Sequence, residues 1–261
     1  YTKIKKIIDI KIINKIVKFL DEFIKNENKI KKLKGFKNAH IFHGNSIVIN
    51  NLHARDILFW QLISNPIIST ICERILSKYS YKDSEGYVLL GSSIRSLFEK
   101  QTSQQLHIDS NLPGNNHILS LQFCIPIDPF NKINGATQII KDSYKLNYYP
   151  PDMDKLPKDL KDKRLILEAN PGDLIVFNTS LWHGSSEKLS DSRRAAIFLN
   201  FGRWFLKPSF DIPNNMPEEI LKKISEKQKK IAGCYYQPPF NDQEGRGRKS
   251  LKPIIRKYFE Q

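Results

Sequence analysis

Seven short apolar or alternating segments lie between residues 87 and 202, bounded by turn-forming residues, while helical periodicity is confined to the two ends. Together these predict a mainly β protein with helical decoration, its strands folded as a double-stranded β-helix, the cupin-like jelly roll, flanked by N- and C-terminal helices. A third observation agrees. His107 and Asp109 in QLHIDS and His183 in SLWHGSS are ligand-type residues far apart in sequence. Facing strands of a double sheet bring such residues together.

The elements follow in order. Residues 3–34 read as a helix, because Ile4, Ile7 and Ile8, then Ile16, Val17, Leu20, Phe23 and Ile24 recur at helical spacing between lysines. Gly35 is the expected stop. Residues 52–79 form a second helical region, broken at Pro66. Strands are expected at 87–91, 104–109, 117–127, 136–140, 164–168, 173–178 and 194–202. Residues 141–163, with YYPPDMDKLPKDL, make a long connection suited to a lid. Residues 217–231 read as a charged helix, and the tail CYYQPPFNDQEGRGRKS as irregular. One domain over 1–261 is expected: a helical region at 1–80, the jelly-roll core at 87–204, and a helix with tail at 205–261.

Composition narrows the function classes. Hydrophobic residues make up 40% of the chain and aromatics 11%, enough to bury a core. There is no apolar run of about 18 residues, so no membrane span is expected. The lysine-rich beginning lacks the apolar stretch of a secretory signal. Cys72, Cys124 and Cys234 are scattered, which suits reduced thiols in a cytoplasmic protein. The net charge is +15, but residues 1–40 hold 12 lysines against four acids, and residues 218–261 hold 11 basic residues against six. The body between is nearly balanced. That distribution argues against a nucleic-acid partner and leaves a basic rim able to attract a phosphorylated or nucleotide-bearing substrate. The oligomeric state is not legible.

The chemistry concentrates at three residues. In an extended segment alternate side chains share a face, so His107 and Asp109 point the same way. With His183 they supply two imidazoles and one carboxylate, the facial ligand set of non-haem iron(II). His40, His43, His53 and His117 lack such company, apart from Asp56 near His53. Arg193 or Arg194, in DSRRAAIF, stands where it could hold an acidic co-substrate.

LHID, the strand LSLQFCIPID, the turn NKINGATQII, the hairpin PGDLIVFNTSLWHGS and SRRAAIFLNF carry a resemblance that spans about residues 87–204. They resemble the phytanoyl-CoA dioxygenase family of Fe(II)/2-oxoglutarate-dependent oxygenases. Asn134 and Gly135 match the family's NG pair, while IIKDSYK departs from its proline–glycine–serine–histidine stretch. The resemblance implies that His107, Asp109 and His183 bind iron(II) and that Ser185 helps hold 2-oxoglutarate. It places Arg193 on the distal carboxylate, although strict counting from His183 favours Arg194. O2 is the remaining reactant, and succinate and CO2 are released. Related halogenases have a small residue in place of Asp109, so its presence implies hydroxylation or another hydrogen-abstraction outcome in place of halogenation. Gln122 and Cys124 alternate along one strand, and Gln122 is expected to line the co-substrate pocket. Trp182 is expected to face away from it. The expected protein is a hydroxylase of a small molecule. A protein- or nucleic-acid-modifying oxygenase and a non-catalytic metal-binding jelly roll are the alternatives.

Overall fold

The structure is a computed structural model and describes residues 1–31, 42–43, 46–78, 86–110, 112–114 and 117–235. The chain divides into two compact units. One comprises Tyr1–Asn50, Ser93–His117 and Gln122–Phe198; the other comprises Asn51–Ser92, Ile118–Leu121 and Leu199–Gln261.

The strands are β1 (Thr2–Ile4), β2 (Phe42–His43), β3 (Ser46–Asn50), β4 (Tyr87–Leu97), β5 (Ser120–Pro126), β6 (Thr137–Ile140), β7 (Arg164–Ile166), β8 (Leu174–Asn178), β9 (His183–Ser185) and β10 (Arg194–Arg203). They form a seven-stranded sheet, β1-β8-β5-β10-β4-β3-β2, and a three-stranded sheet, β7-β6-β9. The mainly β, jelly-roll class is thereby met. Cys124, Ile175, Phe177 and Ala196 of the larger sheet and Ile139 of the smaller belong to one buried cluster, joined by Phe130, Leu167 and Leu181. Next along β6, Ile140 faces the other way. It packs with Leu106, Leu156, Leu160 and Trp182. The period of two in β6 thus buries both faces of the small sheet.

The N-terminal segment departs from the expected continuous helix. Thr2–Ile4 pair antiparallel with β8, Thr2 opposite Val176. Lys6 then takes a positive φ of 54°, and Ile7 and Ile8 both donate to the Gly172 carbonyl at 2.9 Å. Helix α1 runs only from Ile10 to Lys31. Backbone groups that a helix would have used internally are spent on the turn of a distant hairpin, which the local periodicity does not register. Within α1, Ile13, Ile16 and Leu20 form the buried stripe. Gly35 lies outside the described residues.

That hairpin turn, Asn170–Pro171–Gly172–Asp173, needs its glycine. Gly172 has φ +85°, and a Cβ there would lie 2.6 Å from the Ile8 carbonyl oxygen. Proline followed by glycine is the pattern of a type II turn. The Asp173 carboxylate accepts from Asn170 N and from Lys6 N, each at 3.0 Å.

In the second unit, α2 (Leu58–Ile63) and α3 (Pro66–Leu76) are separated where Pro66 predicts. Pro66 opens α3, and the Asn65 side chain caps it by accepting from Ile67 N at 2.9 Å. His53 is fully buried between Ser92 Oγ, 3.0 Å from Nδ1, and Asn215 Oδ1, 2.9 Å from Nε2. The expected helix at 217–231 is two short ones, α5 (Glu218–Leu221) and α6 (Glu226–Ile231). The second starts at a Ser225–Gln228 capping box. In the first unit, α4 (Lys158–Lys161) lies in the 141–163 connection. That connection is fastened by buried Leu156 and Leu160, and by Ser143 Oγ, which accepts from Trp182 N at 2.8 Å. The tail from 236 lies outside the described residues.

Candidate active site

Residues 101–109 run extended beside β9 without forming the regular strand expected at 104–109. Pairing is confined to separate points. Gln101 and Lys188 exchange backbone bonds, Gln104 N donates to Ser185 O at 3.0 Å, and His107 and His183 bond each other in both directions at 2.9 and 3.0 Å. Beyond that bridge the chain leaves the ladder, and Asp109 N donates to Thr179 O at 2.9 Å. Gly184 permits the close approach: a Cβ there would stand 3.1 Å from Gln104 O and 3.3 Å from Gln105 O.

The three ligand-type residues converge. Their ligand atoms lie within 4.8 Å of one another. His183 Nε2 is 3.4 Å and His107 Nε2 3.8 Å from the two oxygens of Asp109. Each imidazole is oriented from behind: His107 Nδ1 lies 3.1 Å from Gln105 O and His183 Nδ1 2.9 Å from Leu181 O. A carbonyl only accepts, so each Nδ1 carries the proton and each Nε2 presents a lone pair to the shared centre. Burial, reinforced by His183, holds His107 toward its neutral form. Burial alone would raise the Asp109 carboxyl; His183, Arg95 and His107 outweigh it and hold the group well below the usual carboxylate range. Two neutral imidazoles and an ionised carboxylate on one side of a small space are the donor set of a divalent iron site.

The triad opens into a cavity of about 470 Å³. Its wall includes Arg95, Gln104, Thr137, Ser185, Arg194 and Phe198. Ser185 is thus part of the cavity wall. Arg194 is buried, with Nη2 donating to the carbonyl of Gly135 in the NG turn and its guanidinium 4.9 Å from the Phe130 ring centroid. Its Nε is buried with no partner. Burial draws its pKa down to about 10, which still leaves it charged at neutral pH.

The placement expected for Arg193 is corrected. Its Nε and Nη2 grip the Asp128 carboxylate at 2.9 and 3.0 Å, and its Nη1 reaches Asp21 of α1. Arg193 lies just before β10 and Arg194 begins it, and Arg194 is the one that lines the cavity. Gln122 is corrected as well. It is buried but does not line the cavity, and its amide lies 3.5 Å from the Phe123 carbonyl. Cys124 packs in the core cluster. Trp182 faces away from the cavity, against Tyr148 at 5.3 Å between ring centroids. Arg95, Gln104 and Thr137 were not anticipated. Only pairing could have revealed Thr137, which lies opposite Ser185 in the β6–β9 register.

A jelly roll with this ligand set defines the class, a non-haem iron(II) oxygenase. Direct comparison gives the family: residues 12–196 match phytanoyl-CoA dioxygenase (PhyH), and the chain belongs to that family. Rv1501, an uncharacterised protein of Mycobacterium tuberculosis, is 24% identical over 191 residues, covering 69% of this chain and 68% of its own. The iron/alpha-ketoglutarate-dependent dioxygenase ausO of Aspergillus calidoustus is 29% identical over 151 residues, 53% of this chain and 48% of that one. Among solved structures, HygX from Streptomyces hygroscopicus with nickel and 2-oxoglutarate bound superposes with a TM-score of 0.56 at 11% identity, covering 78% of this chain and 83% of that one. The epimerase SnoN, in complex with Fe3+, alpha ketoglutarate and nogalamycin RO, gives 0.56 at 11% identity, covering 77% and 78%.

Proposed function

We propose that His107, Asp109 and His183 hold iron(II), that Arg194 holds the distal carboxylate of 2-oxoglutarate, and that the enzyme hydroxylates a small molecule in the same cavity. One observation carries this reading. A buried guanidinium with an unpartnered Nε opens on the cavity that the His–Asp–His cluster lines. An arginine fork in a partly dry site fits a carboxylate with two charge-assisted bonds. The volume supports a small substrate, since about 470 Å³ lies toward the lower part of the ~300–1,000 Å³ range of ligand pockets and must also admit the co-substrate.

When bound, iron and 2-oxoglutarate supply the oxidation, with decarboxylation to succinate and CO2 coupled to attack on a substrate C–H bond. The protein's own residues do the rest. Gln105 O and Leu181 O fix the two imidazole tautomers. Asp109 stays ionised and acts as a ligand only. Ser185 and Thr137 offer hydroxyls along the co-substrate side of the wall. Gly135 O, Phe130 and the surrounding core hold the Arg194 plane in place.

Anaerobic calorimetry tests this reading. 2-Oxoglutarate should bind the iron-loaded protein at least about tenfold more tightly than the metal-free protein, and Asp109→Ala should abolish that difference, since losing a metal ligand removes one arm of the site. With O2, succinate should form only when iron is present. Co-substrate binding that is indifferent both to metal and to Asp109→Ala would refute the assignment.

A further inference from the structure

The cavity contains a second arginine for which the co-substrate has no use. Arg95 and Leu97 of β4 both line it, while Ile94 and Ser96 alternate with them and are buried. Val48 stands opposite Arg95 in the β3–β4 register, and the guanidinium lies 5.2 Å from the Phe198 ring centroid. Arg95 thus rises from a wall that is otherwise apolar at Val48, Leu97 and Phe198. It makes no ion pair with any described residue. Its charge reaches His107, Asp109 and Arg194.

Charge balance makes Arg95 informative. On the reading above, iron(II) and Arg194 are offset by Asp109 and dianionic 2-oxoglutarate, and the histidines are neutral. One co-substrate carboxylate is taken by Arg194 and the other by the metal. Arg95 is left over, an exposed cation on the cavity wall with no carboxylate partner among the described residues. An arginine fork beside an apolar wall is suited to holding a carboxylate whose apolar remainder lies on that wall. We infer, resting on that reading, that the primary substrate carries a single carboxylate, which Arg95 grips with its planar fork while the remainder of the substrate lies along Val48, Leu97 and Phe198. Arg95 would then set which molecules enter and which C–H bond faces the metal.

The test uses the full chain loaded with zinc, which is redox-inert, and saturated with 2-oxoglutarate so that the metal and Arg194 are already occupied. Butyrate and its uncharged isostere butyramide are titrated as probes by ligand-observed NMR. Butyrate should bind at least about tenfold more tightly than butyramide, as expected for a charge-assisted contact. Arg95→Gln should erase that preference while leaving 2-oxoglutarate affinity within about threefold of wild type, and Arg95→Lys should retain part of it. Equal binding of the two probes to wild type, or a preference that survives Arg95→Gln, overturns the inference. So does a tenfold loss of 2-oxoglutarate affinity in Arg95→Gln, which would assign Arg95 to the co-substrate. If 2-oxoglutarate fails to bind the zinc-loaded wild type, the underlying reading falls, and this one with it.

Discussion

Arg193 and Arg194 are chemically identical neighbours with opposite surroundings. Arg193 is satisfied by two carboxylates, whereas Arg194 is buried against Phe130 with an unpartnered Nε. Arg194→Gln should therefore weaken 2-oxoglutarate binding by about 10- to 100-fold, the range of a hydrogen bond to a charged group. Arg193→Gln should leave that affinity within about threefold and lower stability by at most about 1 kcal/mol, because its ion pairs are partly solvated. Isothermal titration and urea denaturation of both variants check the pair. Strand alternation made it legible that only one arginine faces inward. Which one was not legible, because the deciding partners, Asp21 and Asp128, lie more than 60 residues away in sequence. The His107–Asp109–His183 cluster was legible because its residue types and spacing are demanding. Thr137 and Gln104 were not, because ordinary polar residues acquire meaning only from the register of β9 with its neighbours.

Local signals served the elements well wherever one interaction dominates. Pro66 and Asn65 mark the break between α2 and α3, and the PGD turn marks the entry to β8. They failed where long-range pairing overrode them. The isoleucines at the beginning of the chain suit a helix, yet Thr2–Ile4 are drawn into the sheet edge by β8. β9 is only three residues long and β2 two, too short for an alternation to be read. The turn at Gly172 is the element-scale weak point, because its positive φ and the nearby Ile8 carbonyl both exclude a side chain. Gly172→Ala should destabilise the protein by about 1–3 kcal/mol, the usual strain of such a position. Equilibrium denaturation measures this, and an unchanged midpoint would show that the turn relaxes.

For the whole molecule, acid stability carries a readable signature. Burial lowers the pKa of His53 from 6.5 to about 4, against a partial opposing effect of Asn215. The unfolded chain then binds a proton between those values that the folded chain refuses. The stabilising contribution is complete above about pH 6.5, declines as pH falls, and is lost by about pH 4. It amounts to about 3 kcal/mol at most. Metal-free protein should show this slope in urea midpoints between pH 7.5 and 4.5, and His53→Gln should flatten it. The overall architecture was legible from the spacing of apolar segments, and the concentration of positive charge at the ends from simple counting. The basic C-terminal tail lies outside the described residues. No helix among the described residues is long and apolar enough to cross a membrane.

The mutual backbone bonds of His107 and His183 have a consequence for how this protein can vary. Two of the three clustered residues are register partners, so the candidate metal site depends on alignment as much as on composition. Because side chains alternate with a period of two, a slip of a single position would turn His183 away from Asp109 while leaving every ligand present in the sequence. Loss of one codon between Gly184 and Lys188 should thus be more damaging than many substitutions closer to the centre. In this chain the tolerance for indels, more than the tolerance for substitutions, marks the boundary of the active site.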